Sequence, residues 1–536
     1  MIRSTLHALA VLAFAVGLSA CVTTKRIDDD RSPDPRDDLP ELSTDDAKNL
    51  EMARREKLAT SRPLTTVFEL SPLDPIVNVR IVFKAGSADD PAGKDGLAAL
   101  TAKLMRQATE KLTASQLSDA LFPWAAELDV QVDKDTIVFM GRAHQDHADA
   151  WARVLLDVVM HPRLDPKDFE RVREEQKAYL ESTLRTGNDE ALQREALELA
   201  IYEAAHPYGH TPTGTVKGLA AIKLDDVRAF MATNLTRDRV VLGVSGGASP
   251  KLVQRLQTEL EALPFSSGDR VVPAVPVTPS ASTATFIDKP AAGSAISVGF
   301  ALPDLSRAHA DYPAMKLAET WFGEHRNLIG HLFDSMREKR GLNYGDYAYV
   351  EHFQQEGWST FERLNIPRRT QYFSIWIRPV EHKNRLFALR QTLWELDKFA
   401  KAGIPDDESF KRVQSFVQGY WRSKEQEPMR ALGYRIDGVL TGMPSDRAGL
   451  RAAVTKLTRA DVNAAIKRHL RANNLAIVVV TEDAAALVKD IQDKKASPLA
   501  SSAPELAEEN KVIETFDVGV ANERLFIIQP SKLFAE

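Results

Sequence analysis

An internal repeat constrains the fold of this chain more than any other sequence feature. Each copy contains an Asp-Val pair, a leucine and then an apolar stretch, and the offset between the copies stays constant without a gap. The copies comprise Asp226, Val227, Leu235 and residues 240–244 in the first, and Asp461, Val462, Leu470 and residues 475–479 in the second. Both predict an amphipathic helix, a short polar turn, a buried strand and a further helix. A repeat this long indicates a duplicated domain and not a solenoid unit.

The duplication predicts two domains of the α+β class. A chain of 536 residues with 44% hydrophobic side chains is also too long for a single core. We expect the first domain at residues 65–267 and the second at residues 281–493, each beginning with strands, continuing through long helices and closing with a strand and a helix. A proline- and serine-rich linker separates them at residues 268–280. Residues 494–536 form a C-terminal extension whose apolar end needs a surface to cover it, on its own domain or on a partner.

The N-terminus predicts export and lipid anchoring. Residues 1–21 combine a positive start, an apolar segment too short for a membrane span and the sequence Leu-Ser-Ala-Cys, which resembles the bacterial lipobox. Cys21 is the only cysteine in the chain and is the expected acylation site. The alternative is an ordinary secretory signal with an incidental cysteine. Residues 22–64 are acidic and punctuated by proline, which predicts a disordered tether. We therefore expect a periplasmic protein anchored to a membrane, and Val22 favours the outer membrane by resemblance to bacterial lipoproteins.

Several motifs connect the chain with one class of peptidase. Residues 96–103 read Gly-Leu-Ala-Ala-Leu-Thr-Ala-Lys, residues 85–91 read Ala-Gly-Ser-Ala-Asp-Asp-Pro, and residues 206–210 read His-Pro-Tyr-Gly-His. They resemble, in that order, the metal-binding helix, the loop after the first strand and a His-Pro-Tyr-Gly element of the insulinase/pitrilysin family of zinc peptidases, the inverzincins. The resemblance implies two family domains, each a mixed β-sheet covered by helices, that together form half of a clam-shell chamber.

The chemical residues of that family's metal site are replaced in this chain. When residues 99–103 are aligned with the family motif H-x-x-E-H, Ala99 and Lys103 replace the two histidine ligands. Ala102 replaces the glutamate that acts as general base. The third ligand, a glutamate on a long helix, falls at Tyr179. A methyl group cannot ligate zinc, and a lysine ammonium offers donors but no acceptor. We therefore expect this chain to bind no metal or other cofactor and to be inactive on its own.

A second family element retains its polar residues. Residues 332–344 resemble the family's L-R-E-x-x-G-L-x-Y element, whose arginine and tyrosine reach toward the substrate in family members. Arg337 and Tyr344 match these two residues. A guanidinium and a phenol are suitable donors for a peptide carbonyl and for the oxyanion that develops from it. The alternative is structural, because basic residues followed by Gly341 also suit the end of a helix. Asp129 stands where family members often carry an asparagine on a strand that a peptide could extend, and it is a third candidate substrate contact.

These observations predict a zinc-less subunit of an insulinase-type metallopeptidase acting on unfolded peptides, with the zinc carried by a related partner subunit. The net charge of -6 gives no electrostatic footprint for nucleic acid. Two alternatives stay open. One is a pseudo-peptidase that serves as a scaffold or peptide-binding protein without a catalytic role, and the other is a metallopeptidase with an unrecognised metal site.

Overall fold

The structure is a computed structural model. It describes residues 64–266, 270, 276, 278–443, 447–499 and 503–535. The predicted signal peptide with Cys21, nearly all of the predicted tether and most of the predicted linker lie outside the described residues. Within the described ranges, no helix combines the length and apolar character needed to cross a membrane.

The first half of the chain forms a five-stranded mixed sheet in the order β1-β5-β2-β4-β3. Strands β1 and β5 are parallel, and the other neighbours are antiparallel. The strands are β1 (Thr65–Leu70), β2 (Ile76–Phe83), β3 (Glu127–Val132), β4 (Ile137–His144) and β5 (Val240–Gly246). Strands β2 and β5 are almost wholly buried and mostly apolar, and the polar side chains that they bury include Asn78, Arg80 and Ser245.

The second half repeats this sheet and adds one strand, giving the order β11-β6-β10-β7-β9-β8. Its strands are β6 (Thr283–Asp288), β7 (Ser294–Leu302), β8 (Asp346–Tyr349), β9 (Gln371–Val380), β10 (Ala476–Thr481) and β11 (Leu525–Ile528). The repeated strands of the sequence are β5 and β10, and each lies between one parallel and one antiparallel neighbour. The two sheets therefore have the same topology, as expected of a duplication.

Helices cover the sheets, and local sequence explains where several of them begin. Asp165 precedes Pro166 and its carboxylate accepts hydrogen bonds from Lys167 N and Asp168 N, which caps the long fourth helix. The helices of the first half are α1 (Leu97–Met105), α2 (Ala114–Leu121), α3 (Gln145–Met160), α4 (Pro166–Ala178), α5 (Asp189–Ile201), α6 (Val216–Ala221), α7 (Leu224–Asn234) and α8 (Pro250–Glu261). A π-helical turn, Tyr179–Leu184, continues α4.

The second half contains a corresponding set of helices. They are α9 (Tyr312–Gly323), α10 (Arg385–Ala402), α11 (Asp407–Lys424), α12 (Pro428–Thr441), α13 (Arg447–Lys456), α14 (Arg459–His469), α15 (Ala484–Gln492) and α16 (Ala507–Ile513). A second π-helical turn spans Phe333–Glu338. The mixed sheets with their helical covers confirm the predicted α+β fold class.

Each half covers part of the other half's sheet. Helix α5 of the first half packs against β7 and β10, and helix α12 of the second half packs against β1 and β5. The contact with β5 is close, since a β-carbon at Gly243 would lie only 2.5 Å from Ile436 Cδ1. Leu432 and Ile436 of α12 share a small buried cluster with four valines of the first sheet. The two halves are therefore interlocked by an exchange of helices.

The C-terminal extension contacts both halves. Strand β11 pairs in parallel with β6 at the edge of the second sheet. Farther along, the carbonyl oxygens of Phe534 and Ala535 accept hydrogen bonds from Val216 N and Lys217 N at the start of α6, at 2.8 and 3.1 Å. Arg185 Nε donates to Leu533 O at 2.8 Å, and Phe534 is buried. The sequence left the surface for this extension open, and the structure places it on the chain itself.

Candidate functional site

Helix α1, which carries the replaced metal motif, is fixed firmly at its start. The two carboxylate oxygens of Asp90 accept hydrogen bonds from Gly96 N and Ala98 N, both at 2.7 Å. Gln176 of α4 donates from Nε2 to Gly96 O and to Thr213 O, at 3.1 and 2.7 Å. These bonds attach α1, α4 and the turn at 211–214 to one another. Helix α1 thus presents a fixed face to the neighbouring cavity.

Three of the four replaced positions line one cavity of about 280 Å³. Ala99 and Lys103 face it from α1, and Tyr179 faces it from the π-helical turn after α4. Ala102 does not line this cavity and is 0% exposed in the hydrophobic core. These residues do not fit a zinc ion, because neither alanine has a ligand atom and the lysine carries a positive charge.

The cavity lies between the two halves of the chain. Strand β3 and the residue that follows it contribute residues 130–133 to its wall, and α5 contributes Arg194, Glu195 and Glu198. The second half contributes Arg363 and Trp376, among others. No local sequence pattern indicates that these residues meet, because they are separated by up to 246 positions and come from different copies of the duplication.

In the wall of this cavity, a buried ion-pair network joins the halves. The guanidinium of Arg368 lies 2.8 Å from Asp133 Oδ1 and 2.7 Å from Glu198 Oε1. Burial would raise the pKa of Asp133, but Arg368 and next His352 outweigh it and hold that pKa at about 2. Lys134 Nζ lies 3.6 Å from Glu198 Oε1 and adds a second positive charge. The two carboxylates and two cations therefore neutralise one another.

The other charged groups of the cavity are not neutralised in this way. Among the described residues, no carboxylate pairs with the side chains of Lys103, Arg194 or Arg363. Burial lowers the pKa of Lys103, and Glu175 partly offsets this effect. Burial, and next the Glu198 carboxylate, raise the pKa of Glu195. The cavity therefore combines three unpaired cationic side chains with one carboxyl group whose ionisation is disfavoured.

Arg337 and Tyr344 lie together but away from this cavity. The Arg337 guanidinium carbon is 4.5 Å from the centre of the Tyr344 ring, and Tyr344 is 68% exposed. Neither residue lines the cavity of Ala99 and Lys103. Gly341 adopts a φ of +61° and its N–H donates to Arg337 O at 2.8 Å. Gly341 therefore also forms the glycine cap of a helix end, which is the structural role predicted as the alternative for this segment. The segment therefore has both a capping role and an exposed cation–π pair.

Asp129 lies on the edge strand β3, outside the cavity wall. Its Oδ1 accepts a hydrogen bond from Val130 N at 2.8 Å and lies 3.7 Å from Arg106 Nε. Within the described residues β3 pairs with β4 alone. The other side of β3 therefore offers an edge to which an extended peptide could add, close to the cavity.

One group of side chains elsewhere could hold a metal ion. Ligand atoms of His309, Asp311 and His469 all lie within 4.8 Å of one another. However, Arg468 binds both carboxylate oxygens of Asp311 at 2.8 and 2.9 Å, and His469 Nε2 lies 2.8 Å from Oδ2. This arrangement already satisfies the carboxylate as an ion pair between the start of α9 and the end of α14.

The comparisons with known proteins identify the family. The model described as Insulinase (Peptidase family M16) matches residues 65–205, and the model described as Peptidase M16 inactive domain matches residues 221–416. The chain therefore belongs to the insulinase family of M16 peptidases, which confirms the predicted membership.

Curated relatives are distant but cover much of the chain. An uncharacterized zinc protease of Mycobacterium leprae is 23% identical over 57% of this chain and 68% of its own length. One of Bacillus subtilis is 21% identical over 55% of this chain and 69% of its own length. The β-subunit of the mitochondrial-processing peptidase of Blastocladiella emersonii is 22% identical over 51% of this chain and 58% of its own length.

Solved structures support the fold. The M16 inactive-domain peptidase of Pseudomonas fluorescens superimposes with a TM-score of 0.67 at 21% identity, covering 78% of this chain and 95% of that one. A protease of Helicobacter pylori gives a TM-score of 0.66 at 15% identity, covering 78% and 98%. At this identity the likeness establishes the common fold and nothing finer.

Proposed function

We propose that this chain is the non-catalytic subunit of a heteromeric zinc peptidase that acts on unfolded peptides. The contrast between two regions carries this proposal. The metal positions of the family hold Ala99, Lys103 and Tyr179, which cannot bind zinc. Arg337 and Tyr344, which match the family's substrate-binding pair, lie together at the surface. Such a pair serves catalysis when a related, zinc-bearing subunit supplies the metal.

The names of the relatives are compatible with this role. Several are called zinc proteases, and one is called the β-subunit of a processing peptidase. A subunit that has lost its ligands still contributes half of a substrate chamber. The partner expected here is therefore a family member with an intact H-x-x-E-H motif, encoded by the same cell.

The isolated chain is expected to contain no stoichiometric zinc and to cleave no unfolded peptide, because none of the replaced positions supplies a histidine, cysteine or carboxylate ligand. Peptidase activity is expected on mixing with the zinc-bearing relative. Metal analysis and a fluorogenic peptide assay, on the chain alone and in the mixture, check both statements. Chelator-sensitive cleavage by the chain alone would contradict the proposal and favour an unrecognised metal site.

Restoring the motif on α1 alone is not expected to restore activity. In the triple variant Ala99→His, Ala102→Glu and Lys103→His, Tyr179 still replaces the third ligand. The Ala102→Glu change also places a carboxylate at a fully buried position, which is costly without a partner. The triple variant thus serves as a negative control in the same assay.

A second candidate function is peptide binding without any catalytic role. The unpaired edge of β3 beside the cavity favours it, since an extended peptide can add to such an edge through backbone hydrogen bonds. Peptide binding by the isolated chain, together with no activation by any zinc-bearing relative, would support this scaffold role over the catalytic complex.

We further propose that the protein is a periplasmic lipoprotein anchored through Cys21. The support is the lipobox-like sequence at residues 18–21 and the fact that no other cysteine is present. Cys21→Ala is expected to abolish incorporation of labelled fatty acid and to release the protein from membranes, because stable anchoring needs the acyl chains. Membrane fractionation and the melting temperature, which should stay unchanged, check this. Retention of the variant in the membrane fraction would show that Cys21 is not the anchor.

A further inference from the structure

The vacated cavity contains a cluster of positive charge that no described residue neutralises. Lys103 stands at a position of the family's metal ligands, and Arg194 and Arg363 line the same cavity. The acidic residues Asp133 and Glu198 are already paired with Arg368. Glu195 is the one further acid in the wall, so the unpaired groups sum to a positive charge.

One of these cations, Arg194, is held in place by its neighbours. The Arg194 guanidinium carbon lies 4.4 Å from the centre of the Trp376 ring, and its Nε donates to Glu190 O at 3.1 Å. Burial and Glu195 raise the pKa of Tyr179, while Arg194 and Arg363 oppose this rise. Both guanidinium groups therefore favour negative charge at the Tyr179 hydroxyl, which faces the same cavity.

We propose that this cavity binds a carboxylate group of an extended peptide, with Lys103 as its principal cationic partner. The inference rests on the proposed peptide-binding role and adds the class of peptide. A peptide that adds to the edge of β3 passes residues 130–132, which also line the cavity. Its acidic side chain or its C-terminal carboxylate then reaches Lys103. Where active relatives hold a metal cation, this chain holds an ammonium group.

A carboxylate is the anion that an unmodified peptide supplies, and the cavity wall offers it both cationic side chains and a neutral donor. The Tyr179 hydroxyl can donate a further hydrogen bond to a carboxylate oxygen. A planar carboxylate can also accept two parallel bonds from one guanidinium.

The test uses fluorescein-labelled, unstructured peptides of one sequence and the purified chain without a partner. One peptide has an internal glutamate and a free C-terminus, one replaces glutamate by glutamine, one has an amidated C-terminus, and one carries both changes. We expect the doubly neutral peptide to bind at least about 10-fold more weakly than the first, as for loss of a charged hydrogen bond. The two singly changed peptides identify which carboxylate is bound.

Variants connect the effect with the site. Lys103→Met is expected to remove the preference for the carboxylate peptide, while Lys103→Arg retains it. Lys251→Met, at an exposed lysine of α8 that does not line the cavity, is the matched control and should bind like the wild type. Because no described carboxylate forms an ion pair with Lys103, Lys103→Met should not lower the melting temperature. An unchanged melting temperature would exclude misfolding as the cause of a lost preference.

The possible outcomes separate this inference from the proposed function. Equal binding of the charged and doubly neutral peptides, or full preference in Lys103→Met, would overturn the carboxylate site and leave the proposed function intact. Failure of every peptide to bind would overturn both the site and the peptide-binding role of the isolated chain. If the chain prefers the carboxylate peptide but does not activate a zinc-bearing relative, the proposed catalytic complex alone would be overturned.

Discussion

Arg337→Ala is expected to lower the turnover of the assembled peptidase by about 10² to 10³, the loss seen when one oxyanion donor is removed. The Arg337 guanidinium carbon lies 4.5 Å from the centre of the exposed Tyr344 ring, and in the proposed complex this guanidinium would donate to the oxyanion formed at the partner's metal. Tyr344→Phe removes only the hydroxyl and is expected to reduce turnover in the same direction. Steady-state kinetics of the complex check both changes.

The matched control is Arg228→Ala, at an exposed arginine of α7 that pairs with Asp225 three residues earlier. Its turnover should equal that of the wild type. A different result is expected if the Arg337 charge only stabilises the helix C-terminus before Gly341. Its removal would then cost about 0.3–1 kcal/mol of stability, as for a charge near a helix C-terminus, with normal turnover.

Arg368→Met is expected to lower the free energy of unfolding by about 3–5 kcal/mol, because removing one member of a buried ion pair leaves unpaired charges behind. The Arg368 side chain is 1% exposed and its two partners, Asp133 and Glu198, would lose their principal cation. Urea unfolding of the isolated chain measures the change. Arg378→Met is the control, since its pair with Glu190 is partly exposed and should be worth about 0–1 kcal/mol. A similar small loss for Arg368→Met would contradict the network's structural role.

The same network makes stability depend on pH. Asp133 has a folded-state pKa of about 2, below the value of 3.8 for an unperturbed aspartate. Its contribution to stability is therefore fully present above about pH 4 and is lost as the pH falls toward 2. In Arg368→Met, the Asp133 carboxylate has already lost its strongest partner. The free energy of unfolding of this variant, measured by urea unfolding, should therefore fall less than that of the wild type between about pH 4 and pH 2.

Much of the fold could be predicted because it follows from repeated local patterns. The repeat around residues 226–244 and 461–479 predicted a duplication, and β5 and β10 occupy the same place in two sheets of equal topology. The exchange of α5 and α12 was not predicted. Helical periodicity shows that a face is apolar but not which sheet covers it. The destination of β11 was likewise undetermined, because a short apolar segment can pair with any free edge.

The candidate site was predictable only in part. Counting from the family motif brought Ala99, Lys103 and Tyr179 to corresponding positions, and the structure places all three in one wall. The unpaired Arg194 and Arg363 were not anticipated. Single charged residues far apart in the sequence leave no periodic or spaced pattern, so only the fold can bring them together.

The exchange of helices determines the order in which this protein can complete its folding. The outer face of the first sheet carries Val67, Val82, Val138 and Val241, and their covering residues Leu432 and Ile436 are synthesised about 190 residues after β5. A chain whose first half has emerged, but whose α12 has not, therefore exposes an apolar sheet face. Contacts between such distant segments also form slowly. A first half expressed alone is expected to aggregate where the whole chain remains soluble.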